Sequence, residues 1–87
     1  MSRAQDPVEG ALACLDELDR QGVAGVADHV AELRTRIEVY QRSRREAREQ
    51  ILRGIEDELD ALADSSPRTN ALTRLQSHVA ALREDES

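Results

Sequence analysis

Apolar residues recur along this chain in helical steps, not in alternation. Val8, Leu12, Leu15 and Leu18 follow one another at spacings of four, three and three, which places them on one face of an α-helix. Asp6-Pro7-Val8-Glu9 has the form of a capping box. Asp6 is at the N-cap, Pro7 is at the first helical position, and Glu9 reaches back to the cap. Gly22 can take the left-handed conformation that stops the helix. A first helix over 7–21 is expected.

A second segment begins around 23–26. Its apolar positions Val26, Val30, Leu33, Ile37 and Tyr40 form a heptad seam. The seam then lapses, because residues 41–50 (QRSRREAREQ) offer only Ala47. It resumes with a shifted phase at Ile51, Leu52, Ile55, Leu59 and Leu62. Two readings follow. A continuous helix over 24–63 would be ~60 Å long, and it is favoured because no Gly or Pro interrupts 41–50 and Gln, Arg and Glu are good helix formers. Alternatively, Ser43-Arg44-Arg45-Glu46 is itself a capping box and starts a separate helix. Ser66-Pro67 reads as the N-cap and first position of a last helix over 67–83, with Leu72, Leu75, Val79 and Leu82 on one face. Residues 83–87 (REDES) are expected to fray. No run of β-branched or aromatic residues at period two points to a strand.

The expected fold is therefore all-α and a single domain over 1–87. Its short–long–short helices fold back as two end-to-end helical hairpins. A two-helix layer leaves apolar surface open, and 87 residues is close to the size below which a lone core struggles. A homodimer completing a four-helix bundle is expected, with Val26, Val30, Leu33, Ile37, Tyr40, Leu52, Ile55, Leu59 and Leu62 carrying self-association. The alternative is a monomeric four-helix bundle broken near Ser43. Residues 55–85 resemble the helical-hairpin modules used for docking and dimerisation.

Charge changes this picture most. All twelve basic residues are Arg, against eighteen acids, for a net charge of −6. The distribution is uneven. Residues 1–33 hold seven acids and two Arg, residues 34–53 hold seven Arg and three Glu, and residues 54–87 hold eight acids and three Arg. If the first helix folds back at Gly22, Glu9 faces Arg34. If the last folds back at 65–67, Glu84 faces Arg48. The acidic arms would then cover the basic middle. The belt Arg34, Arg36, Arg42, Arg44, Arg45, Arg48 and Arg53 is the candidate interaction surface. Tyr40 is the sole aromatic, so base stacking has no platform, and the net acidity disfavours nucleic acid.

Chemistry-bearing residues are sparse. Cys14 is the only cysteine, which excludes an internal disulfide, and it reads as a small buried hydrophobe. His29 and Glu32 share a helical face but lack the further ligands a metal site needs. No glycine-rich phosphate loop is present. No catalytic, cofactor or metal residue is nominated, and the chain is read as no enzyme. The longest apolar run, residues 11–15, is far too short for a membrane span. The start, MSRAQDPVEG, lacks the basic and apolar stretches of a signal peptide. A cytoplasmic, non-catalytic helical protein–protein interaction module is expected: a small dimeric adaptor, regulator or accessory subunit. A nucleic-acid-associated regulator using the Arg belt is the alternative.

Overall fold

The computed structural model describes residues 6–22 and 24–86. The signal-peptide reading of the first residues and the Val23 start of the second segment fall wholly or partly outside them. Four helices follow one another: α1 Pro7–Gln21, α2 Ala27–Arg42, α3 Arg45–Ser65 and α4 Asn70–Glu86. The bounds of α1 are those expected from its local signals. Asp6 is extended and its carboxylate accepts the Val8 N–H at 3.0 Å, and Gly22 adopts φ 66°, ψ 31° and donates to Asp19 O.

The continuous long helix is corrected. Ser43 and Arg44 are both extended, at ψ 155° and 160°, and α3 turns back on α2. His29 meets Glu58, and Arg36 lies over Gly54. The proposed capping box is not what makes the break. Arg44 is the N-cap and has no side-chain cap bond, while the Ser43 hydroxyl donates back to Val39 O at 2.7 Å. Burial explains why a run of good helix formers nonetheless breaks. An interruption forfeits a few backbone hydrogen bonds worth about 1 kcal/mol each, whereas each large apolar side chain buried by folding back returns about 1.5–3 kcal/mol. Leu33, Ile37, Leu52, Ile55 and Leu62 are all fully buried as a result.

Two smaller expectations also shift. The last helix starts at Asn70, not at 67, because Thr69 supplies the cap: its hydroxyl accepts the Leu72 N–H at 3.2 Å. Its end does not fray at 83, since Arg83 is held by Glu49 and Glu56 of α3. On α1 the inward positions include Ala11 and Cys14, while Leu12 is only partly buried.

The helices form the four sides of a bundle. α1 packs most extensively on α4 and α2 on α3, and α1–α2 and α3–α4 close the other two sides, with the diagonal pairs farther apart. Glu17 meets Arg74 and Gly10 meets His78, so α1 and α4 run antiparallel. The Cα extents of 35 × 31 × 17 Å exclude a ~60 Å rod. The radius of gyration, 12.4 Å, is close to the ~12 Å of a compact chain of this length. All nine residues assigned to self-association are buried within this one chain, so a second copy is not required to cover them. No buried residue among those described is polar or charged. No helix is long and apolar enough to cross a membrane.

Candidate interaction surface

The Arg belt does not act as one surface. Arg34 reaches from α2 to Asp16 of α1, a turn or two from the Glu9 partner expected, because residues 22–26 take up chain and reset the register. That contact is a hydrogen bond as well as an ion pair, and it holds the Asp16 carboxyl below its ordinary range. Arg53 pairs with Glu49 one turn back on its own helix at 3.2 Å. Arg48 lies over the Tyr40 ring, 5.1 Å from its centre, and its Nε donates to Ser43 O, fastening the α2–α3 corner. The α3–α4 link is not Arg48 with Glu84. Arg83 takes that part, donating to Glu49 and Glu56 at 2.7 Å each. Glu49 is depressed chiefly by the Arg83 hydrogen bond, and Arg83 is raised by its hydrogen bonds to Glu56 first and Glu49 second. The register matches the expectation to within a residue on each helix, with the signs of charge exchanged.

Arg36 holds a more unusual position. Its Nη2 lies 3.1 Å from Glu32, and its guanidinium rests on Gly54, where an added Cβ would come within 2.8 Å of Nη1. Glycine at 54 leaves room for the guanidinium to lie against α3. The Arg36 Nε is buried without a hydrogen-bond partner among the described residues, at a typical cost of about 1–3 kcal/mol. Arg42, Arg44 and Arg45 are exposed at the α2–α3 corner and make no ion pair among the described residues.

Beside that corner the outer faces of α2 and α3 enclose an open groove of about 340 Å³, lined by Thr35, Arg36, Val39, Gln50 and Ile51. Val39 is 43% exposed and is the one large hydrophobic side chain exposed among the described residues. Helical spacing carries the groove into the basic corner. Thr35, Val39 and Arg42 fall at i, i+4 and i+7 on α2, and Arg44 is the extended N-cap residue of α3, seven residues before Ile51 in the chain. Val39 does not stand out in the sequence and Ile51 reads only as a seam position, because the groove exists only once α3 folds back.

Two clusters outside the groove carry potential chemistry. His29 does not pair with Glu32; its Nδ1 lies 2.6 Å from Glu58 across the α2–α3 contact. No group of three metal-ligating side chains occurs among the described residues. Between α1 and α4 a small pocket of about 120 Å³ brings Cys14 together with His78, Glu17 and Arg74. Burial pushes the Cys14 thiol up, outweighing the nearby Arg74. Such a thiol stays protonated near neutral pH and is a poor nucleophile. No hydrogen bond joins it to His78. The proximity of Cys14 and His78, sixty-four residues apart, had no signal in the sequence.

Protein-family models, curated proteins and solved structures include none that matches this chain.

Proposed function

We propose that this chain is a non-catalytic helical protein–protein interaction module, an adaptor, regulator or accessory subunit that presents the α2–α3 face to a partner. One observation supports this above the others: Val39 stands exposed in a groove with Ile51, while every other large aliphatic side chain among the described residues is at least partly covered. An isolated exposed valine is unremarkable on a protein surface. An aliphatic pair set between helices and bordered by guanidinium groups has the general arrangement of a contact surface, an apolar centre within a polar rim.

The test is selection of binders from a random peptide display library by the intact chain and by its Val39→Asp variant, with both shown to melt cooperatively. Peptides retained by the first and lost by the second support the reading. Peptides retained equally by both, or none from either, refute it.

A further inference from the structure

We infer that the groove between α2 and α3 takes an acidic amphipathic helix from another protein, with aliphatic side chains against Val39 and Ile51 and carboxylates on Arg42 and Arg44. This rests on the interaction-module reading and specifies its ligand. Several observations carry it. The lining supplies an apolar centre, and the adjoining corner supplies cations that make no ion pair among the described residues. Charge complementarity thus selects carboxylates. The direct way for a short segment to use such a groove between two helices is to lay a third helix in it, with anchors at i and i+4. Thr35 to Arg42 covers two turns, ~10 Å, so about two turns of ligand engage it. The carboxylates fall at the end lying against the corner.

Two other occupants fit less well. Nucleic acid would place phosphates on the arginines but leave Val39 and Ile51 in water. It would also meet a chain of net charge −6 whose single aromatic, Tyr40, is only 3% exposed. A second copy joined about a two-fold axis parallel to the helices would set the arginine corner against its own equivalent, with like charges opposed. A head-to-tail copy would not close and would lead to filaments.

Four labelled or unlabelled probes test this by fluorescence anisotropy and light scattering at low salt. They are a helical 16-residue peptide with Leu at i and i+4 and Glu at the remaining exposed positions, the same peptide with Lys for Glu, a duplex DNA of similar length, and the chain itself. The acidic peptide is expected to bind and the lysine peptide not to. Its dissociation constant should rise at least tenfold in Val39→Asp and in Arg42→Glu/Arg44→Glu, and should weaken with added salt. Arg68→Glu, a charge reversal in the α3–α4 connection at the other end of α3, should leave it within twofold. Three results overturn the inference: the lysine peptide binding as well as the acidic one, DNA binding in place of both with loss in Arg42→Glu/Arg44→Glu, or a dimer that Val39→Asp dissociates. If the acidic peptide fails while displayed peptides still bind in a Val39-dependent way, the acidic ligand is refuted and the interaction module stands. If no displayed peptide depends on Val39, both fall.

Discussion

Gly10 and Gly54 both lie inside helices, and their surroundings lead to opposite expectations for the same substitution. Alanine in place of a helix-interior glycine gains about 1 kcal/mol from propensity and from a less flexible unfolded chain. At Gly10 the new Cβ would meet three ring atoms of His78 at 2.4, 2.6 and 2.7 Å, against about 3.4 Å for ordinary contact. The whole imidazole must withdraw. The neighbouring positions Ala11, Leu75 and Val79 are buried in the core, so the half-buried ring has to move toward solvent and give up its packing on α1. Overpacking of this kind costs about 1–3 kcal/mol, so Gly10→Ala should be destabilising by about 1 kcal/mol net. That is a melting temperature lower by about 4–8 °C for a domain of this size. At Gly54 the obstacle is Nη1 of Arg36 at 2.8 Å, the end of a flexible side chain that is 40% exposed and can step aside. Gly54→Ala should therefore keep most of the gain, about 0.5–1 kcal/mol. The decisive measurement is a cycle with His78→Ala, followed by circular dichroism through thermal and urea unfolding. Without the ring, Gly10→Ala should become stabilising. If it stabilises equally with the ring present, His78 does not pack on Gly10 and the α1–α4 contact is wrongly described.

Leu33→Asp and Leu59→Asp should each abolish cooperative melting, since both side chains lie in the single core and an unpaired buried charge costs several kcal/mol, most of what a small domain has. A folded variant at either position would mean the core is misplaced. Spin labels at Asp28 and Asp57, in a Cys14→Ala background, should report backbones about 10 Å apart, whereas a helix continuous through Ser43 would hold those positions ~44 Å apart. A long distance refutes the break. Asp16 and Glu49 are depressed below their ordinary 3.8 and 4.5. Their contribution is therefore complete above those values and lost as pH falls through the lower folded-state ones. The melting temperature should decline in acid, and Arg83→Met should flatten that decline. An unchanged slope would show that the Arg83–Glu49 contact does not hold in solution.

Where a signal is local, the sequence alone determined the outcome. Asp6, Pro7 and Gly22 set both ends of α1, because a cap and a left-handed stop act within a turn of themselves. Helical spacing likewise identified the buried positions of α2 and α3, since only one face of a helix can meet a core. Where the alternatives are nearly equal locally, tertiary structure decided. Gln41 to Gln50 can continue a helix or leave it, and the choice fell to burial of Ile55, Leu59 and Leu62 against residues far away in the chain. Ser66-Pro67 reads as the start of α4 in the sequence, whereas the hydroxyl that reaches a backbone N–H is that of Thr69. Charge segregation was legible, but not which charges meet. Between α1 and α2 the register depends on how many residues the connection consumes, and that sent Arg34 to Asp16. Between α3 and α4 the register is the expected one, and the charges that meet there are Arg83 and Glu49. The groove beside Val39 belongs wholly to the fold. Its two walls come from helices brought together only by the break at Ser43.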